Sequence, residues 1–361
     1  MEKITDIIQS IANEKNLNLE DVKTKVITAL VNTAKKVYGE HYDFFVDPKD
    51  LKLYQKIIVV DDKDERLKEE NEHFISLSKA KKEVNGVEIG DELTYECNLE
   101  NLGRTAVNTL HKELEYHVQK LLEDTIYKKY QNMLGHIVFG TVIRVDSDDN
   151  TFIEIDEIRA FLPRKNRIKG EVFKVGDVVK AVIRRVYIDK NGIRMELSRT
   201  SPKFLEALLE SEVPEIKDGL VSIYASARIP GERAKVALIS NSPNVDCVGA
   251  TVGSKGVRIN AVSKELNGEN IDCIEYSNEA AIFITRALAP AIVNSVVIED
   301  KKAIVGINSE QKSKAIGKNG INIRLASMLS SYEIELKEFK EIKNKENEDA
   351  IKNLENLFKN I

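Results

Sequence analysis

Two short glycine-bracketed segments carry most of the chemistry that this sequence can offer. Gly253-Ser254-Lys255-Gly256 is followed by Val257-Arg258-Ile259, and 64 positions later Gly317-Lys318-Asn319-Gly320 is followed by Ile321-Asn322-Ile323. Glycine lets a backbone approach a sugar-phosphate chain closely, and a helix that starts just after it presents free N–H groups to an anion. Lys255 and Lys318 add charge without base preference, and Arg258, Asn322 and Arg324 are expected to flank the path. One such loop alone is a common turn between helices. Two in matching surroundings predict a phosphate-backbone contact made twice.

The elements around the two loops repeat as well. Each loop is preceded by two apolar β-like runs, 220–229 and 235–239 for the first, 295–298 and 303–307 for the second. Each is followed by a helical stretch, 260–266 or 324–329, and by a closing strand, 271–276 or 332–336. A helix–GxxG–helix unit on a three-stranded sheet has the KH arrangement of type II, which takes about four nucleotides of single strand per module.

Upstream, from Gly140, the apolar period changes to two. The runs 141–145, 151–155, 178–186 and 193–197 read as short strands, with turn signals at Asp148-Asp149-Asn150, Gly176-Asp177 and Asn191-Gly192. Such spacing suits a small closed barrel of the OB type. Phe152 and Phe161 are placed either to stack bases or to fill the barrel core. Arg164, Lys165 and Arg167, in the run Arg164-Lys165-Asn166-Arg167-Ile168-Lys169, are expected to follow the RNA backbone.

The first 134 residues differ in character. Ile4, Ile7, Ile8 and Ile11 share a helical face, and Val22, Val26, Leu30 and Val37 repeat it after a capping signal at Asn18. β-like runs such as 56–60 follow, then an acidic stretch at 61–70, then a long helical pattern (Leu110, Leu114, Val118, Leu121) from Gly103 to about Leu134. This segment holds 20 basic and 26 acidic side chains, a net of −6, whereas residues 135–200 hold 13 and 10, a net of +3. The chain's overall −5 therefore conceals an acidic front and a basic module, which suit two different partners.

Several chemistries find no support. Cys97, Cys247 and Cys273 stand far apart with no CxxC pair, and no HExxH or GxxxxGK[ST] sequence occurs. Asp146, Asp148, Asn150 and Glu157 match positions of a calcium loop, but Thr151 stands where glycine is needed, and a hairpin turn is expected. Asp61, Asp62 and Asp64 run into Glu65, Glu69 and Glu70 as a plain solvated charge run. No apolar run approaches the ~18 residues of a membrane span, and the acidic start is unlike a signal peptide. A cytoplasmic, non-catalytic protein without cofactor or metal is expected.

The barrel segment resembles the RNA-binding barrel of ribosomal protein S-one through Gly140-Thr141-Val142, Phe152-Ile153-Glu154-Ile155, Ala160-Phe161-Leu162-Pro163, Val175-Gly176-Asp177 and Leu197-Ser198-Arg199-Thr200. Pro163 stands about where that pattern often has a histidine. Over about residues 1–340 the chain is similar to the NusA family of bacterial transcription factors. The phrases that carry the likeness include Phe45-Val46-Asp47-Pro48, Leu102-Gly103-Arg104-Thr105-Ala106, Glu212-Val213-Pro214-Glu215-Ile216, Pro230-Gly231-Glu232-Arg233-Ala234-Lys235 and Ala315-Ile316-Gly317-Lys318-Asn319-Gly320. The resemblance implies an α+β multidomain protein. Its parts would be an N-terminal polymerase-binding domain at 1–134, the barrel at 135–200, KH modules at 201–277 and 278–340, and a short amphipathic helix at 341–361. It further implies a monomer that joins RNA polymerase core, nascent single-stranded RNA and other Nus factors to modulate pausing, termination and antitermination. Arg104 would then contact polymerase and Arg199 RNA. Some relatives continue into acidic helical repeats beyond the KH pair, so contacts made by those repeats are not expected here. A phosphorolytic RNA-degrading enzyme and a ribosome-associated factor are the alternatives. The former has its KH module before its S-one module, the reverse of the order here.

Overall fold

The computed structural model describes residues 2–67, 73–97, 103–156, 158–189 and 192–338. The C-terminal helix expected at 341–361 lies outside them. The chain divides into two compact units, the first made of residues 1–132 with 190–193 and the second of the remainder.

In the first unit, α1 (Glu2–Lys15) and α2 (Leu19–Tyr38) precede a sheet of β1 (Asp43–Val46), β2 (Leu53–Val60), β3 (Phe74–Ser76) and β4 (Glu92–Cys97). α3 (Leu77–Glu83) lies between β3 and β4, and α4 (Gly103–Gln131) closes the unit. β2 is the strand on which β1, β3 and β4 all pair. Asn18 starts α2 by accepting the N–H groups of Glu20 (2.9 Å) and Asp21 (3.4 Å), which satisfies two otherwise unpaired donors. Ile8, Val22, Val26 and Leu30 enter a core with Phe44, Leu53 and Leu121. Ile7 does not: it is 47% exposed, because the buried stripe of α1 runs through Ile4, Ile8, Ile11 and Ala12.

The second unit opens with β5 (Ile137–Val145), β6 (Thr151–Ile155), β7 (Ile158–Leu162), β8 (Val178–Asp189) and β9 (Gly192–Ser198), closed into a barrel in the order β5-β6-β7-β9-β8. α5 (Pro202–Glu212) follows, with Ser201 as its cap and Pro202 in its first turn, then the short α6 (Pro214–Lys217).

The repeat then appears as two α-β-β-α-α-β modules. The first runs from α5 through β10 (Val221–Ile229), β11 (Arg233–Ser240), α7 (Cys247–Val252) and α8 (Val257–Glu265) to β12 (Asn270–Glu275). The second runs through α9 (Ala280–Ala287), β13 (Ser295–Glu299), β14 (Lys302–Ile307), α10 (Ser309–Ile316), α11 (Ile321–Ser330) and β15 (Glu333–Glu338). In both sheets the first pair is antiparallel and the second parallel. One face of the first sheet buries Val221, Val236 and Leu238 against α5 and α8, together with Ile168 and Val182 of the barrel. Its other face buries Ala227, Ala237 and Ile274 in the core that α9 and α11 share with β14. Barrel and modules are thus joined through continuous apolar cores. Among the described residues, no helix is long and apolar enough to cross a membrane.

Candidate nucleic-acid interface

The two GxxG loops have the same backbone. Gly253 has φ 75, ψ 169, Lys255 φ 52, ψ 25 and Gly256 φ 74, ψ 16. Gly317, Asn319 and Gly320 stand at φ 74, ψ 175, at φ 53, ψ 25 and at φ 73, ψ 11. The two glycines of each loop are needed for different reasons. A Cβ on Gly253 would lie 2.8 Å from the Arg258 side chain, and one on Gly317 2.8 Å from Asn322, so the first glycine permits close packing on the helix that follows. A Cβ on Gly320 would meet nothing within 4 Å, and one on Gly256 would meet the Asn260 amide at 3.3 Å and Ile259 at an ordinary 3.8 Å. The second glycine opens to solvent at the helix N-terminus, where a phosphate can approach. Ser254, Lys255, Lys318, Asn319 and Arg324 are exposed around these openings.

Arg258 and Asn322 behave otherwise than expected. They occupy the same place in the repeat and both turn back under the loop. Arg258 Nη1 donates to Ala250 O (2.6 Å) and Glu215 Oε2 (2.8 Å). The Asn322 amide, buried, donates to Leu288 O, Lys314 O and Ala315 O at 3.0–3.2 Å. Each ties the end of the preceding helix to the start of the next. Both brace the loops: Asn322 is buried and has no face for an RNA strand, whereas Arg258 is held through Nη1 and keeps about a third of its side chain exposed.

On the barrel, Phe152 and Phe161 sit opposite each other in register, with ring centroids 5.3 Å apart. Their strand neighbours Thr151, Ile153, Ala160 and Leu162 are buried, so alternation turns both rings to the outer face rather than into the core. Arg144, which sequence reasoning did not single out, lies with its guanidinium 4.0 Å from the Phe152 centroid. A register shift in β5 between Val142 and Arg144 brings it there. Two half-exposed rings with a cation over one can stack bases and hold a backbone together.

The basic loop after β7 lines a cleft of about 670 Å³. Arg164 and Lys165 are exposed in it. Arg167 is spent within the loop, donating to Asp149 O and Glu171 O, both at 2.6 Å. Arg199 is a further correction. It is 5% exposed and its guanidinium joins Glu171 Oε1 (2.8 Å from Nε) and Lys180 O of the barrel to Glu265 of α8 (Oε1 2.9 Å, O 2.8 Å). It fastens barrel to first module and has no face left for RNA. Arg104 is exposed in the first turn of α4.

The apparent calcium loop is a hairpin turn. Asp146 accepts the N–H groups of Asp148 and Asn150 and the Asn150 amide, at 2.8–3.1 Å, while Glu157 lies outside the described residues. Burial pushes all three cysteine thiols up, Cys273 to about 12, so they stay protonated and unreactive at neutral pH.

Sequence profiles match the chain from end to end of this architecture. They are the NusA N-terminal domain at residues 3–124, the S1 RNA binding domain at 132–198, the NusA-like first KH domain at 199–276 and the NusA-like second KH domain at 280–344. The transcription termination/antitermination protein NusA of Helicobacter pylori strain J99 is 46% identical over the whole of both chains. Its namesake in Thermus thermophilus is 35% identical over 93% of this chain and 90% of its own length. That of Borreliella burgdorferi is 33% identical over 92% of this chain and 68% of its own. With barrel and paired GxxG modules in this order and identity sustained over the full length, the chain belongs to the NusA family.

Proposed function

We propose that the protein is a cytoplasmic RNA-binding transcription factor that acts in termination and antitermination while bound to RNA polymerase. The barrel and the two KH modules hold single-stranded transcript, through Gly253–Gly256, Gly317–Gly320, Arg324, the Phe152–Phe161 face with Arg144, and Arg164 and Lys165. The observation that carries the reading is the pair of loops with one backbone geometry, each opening to solvent at the start of a helix. Residues 1–134 take the protein partner: their net charge of −6 repels phosphate, and Val107 and Tyr116 are exposed on α4.

Tagged full-length protein is expected to recover RNA polymerase subunits from a lysate; recovery of ribosomal subunits in their place would favour the ribosome-associated reading. A fragment of residues 1–134 is expected to bind polymerase and not single-stranded RNA. If it binds RNA as tightly as the whole chain, the division of labour is wrong. We also infer that the protein performs no catalysis. Purified protein should leave labelled RNA intact and nucleotides unhydrolysed. Magnesium-dependent cleavage that follows the polypeptide through purification would overturn this.

A further inference from the structure

The barrel wall formed by β5 and β8 carries a further aromatic ring with a cation beside it. The two strands pair in register as Ile137 with Val182, Phe139 with Lys180 and Thr141 with Val178. These side chains point outward, since Val138, Gly140 and Val142 of β5 and Val179 and Ala181 of β8 alternate with them and are buried. The first pair is covered: Val182 and Ile137 enter the core that the barrel shares with α5 and α8. The next two are not. Phe139 is 59% and Val178 71% exposed, and the Lys180 amine lies 5.3 Å from the Phe139 ring centroid.

The arrangement repeats the one at Phe152. There too a cation and a ring stand directly opposite each other on paired strands, with Arg144 of β5 over Phe152 of β6. The two places share β5 but face different neighbours, β8 for Phe139 and β6 for Phe152. From Phe139 to Arg144 is five residues of strand, roughly 16 Å. About five nucleotides of single strand, at about 3.4 Å each, cover that distance.

The charge around Phe139 suits a phosphate. Among the described residues Lys180 has no carboxylate partner, so its charge is left for an arriving anion. Glu154, which faces Thr141 from β6, has Arg159 opposite it on β7. Asp177 uses its carboxylate within its own turn, accepting the N–H of Lys174 at 2.7 Å. The wall also begins at the joint with the first KH module, where Arg199 donates to the carbonyl of Lys180 itself. A strand held by both parts can therefore pass over it.

We propose that Phe139 and Lys180 form a second stacking site for single-stranded RNA on the barrel, Phe139 taking a base on its exposed ring and Lys180 the adjoining phosphate. The proposal rests on the reading that the barrel holds RNA. An exposed cation–aromatic pair can also be plain surface packing, and Val178 would suit an apolar protein surface. The test therefore reads the surroundings of the ring itself when RNA binds.

The chain contains no tryptophan, so Phe139→Trp and Phe152→Trp each place a single indole in the full-length protein. Each variant is titrated with 30-mers of oligo(U) and oligo(A), long enough to occupy the KH modules and the barrel together. A stacked base quenches indole emission. Both variants are expected to be quenched by both RNAs, because stacking tolerates any base. Quenching of Phe152→Trp with unchanged emission from Phe139→Trp at saturating RNA overturns the proposal and leaves the wall to a protein partner. If neither is quenched, the stacking reading of the whole barrel falls, and this proposal with it. Phe139→Leu keeps an apolar side chain but has no aromatic face. In protein of wild-type circular dichroism it is expected to weaken binding by ~5-fold or more, the lower end for a base–aromatic stack. Lys180→Gln should lower the slope of log K against log salt by about 0.7, the single-strand value per phosphate. Wild-type affinity and slope in both folded variants overturn the proposal.

Discussion

Replacing Gly256 and Gly320 together by aspartate is expected to remove most of the affinity for single-stranded RNA while leaving the fold in place. Both glycines stand near φ 74, ψ 11–16, in the left-handed region that aspartate enters more readily than other side chains. At Gly320 the new Cβ meets open space, and at Gly256 it asks a few tenths of an ångström of the exposed Asn260. The folding cost should therefore be about 1 kcal/mol per site. The cost to binding is larger. A carboxylate about 5 Å from a phosphate is repelled by about 1 kcal/mol in water and about 3 kcal/mol at an effective dielectric constant near 20. Over two loops this amounts to roughly 30-fold in water and on the order of 10⁴-fold at the lower dielectric constant. Lys255→Ala, in contrast, removes one backbone contact and should lower the salt slope by about 0.7 without changing sequence preference. Filter binding or fluorescence anisotropy on protein of wild-type circular dichroism decides the matter. If the folded double variant keeps wild-type affinity, the loops are structural turns, and the barrel face is left as the RNA site.

The same loops show how much of the site could be read from the sequence. Glycine spacing, the 64-residue offset and the flanking apolar runs place both loops because they are local properties: each encodes a backbone geometry that only its own residues determine. The direction of a side chain is not local. Arg258 and Asn322, two residues past the second glycine, have the right types for phosphate contact. Their orientation follows from the packing of one helix end beneath the next, which leaves Ala250 O and Lys314 O to be satisfied. Arg199 directly follows β9 and looks like a surface cation. Its burial depends on Glu265, 66 residues away. In the barrel, alternation identifies the strands but leaves Phe152 and Phe161 undecided between core and surface, and Arg144 is brought over Phe152 by a register shift that no composition signals. α9, Ala-Ala-Ile-Phe-Ile-Thr-Arg-Ala, escapes a helical reading because it is short and rich in β-branched residues. Its Phe283, Ile284 and Ala287 nevertheless belong to the core between the two sheets.

Removing Arg228 is expected to be the most destabilising single change among the ion pairs of the second unit. Arg228 and Glu269 have no exposed side-chain surface and lie 2.7 Å apart. The guanidinium gives Nε and Nη2 to the carboxylate and Nη1 to the carbonyls of Arg199 and Ser201, at 2.7–2.9 Å. Glu269 also accepts the N–H of Gly231 at 2.9 Å. The pair thus fixes the turn between β10 and β11, the start of β12 and the segment that leaves the barrel. Arg228→Met retains much of the volume but leaves a carboxylate buried without its cation and strips two carbonyls of their donor. A broken buried pair costs about 3–5 kcal/mol. Removing both charges should cost less, since an apolar pair of similar volume often replaces a buried ion pair at little loss. Arg228→Met with Glu269→Met should then recover most of the stability, short of about 1–3 kcal/mol for the donor at Gly231 and the two carbonyls. Urea unfolding followed by near-ultraviolet circular dichroism measures both. A loss below about 1 kcal/mol in the single variant would show that water reaches Glu269 and that the pair is not sealed. A double variant no better than the single would place the whole cost in the lost carbonyl bonds, and Arg228 would matter as a tie between barrel and module rather than as a counter-ion.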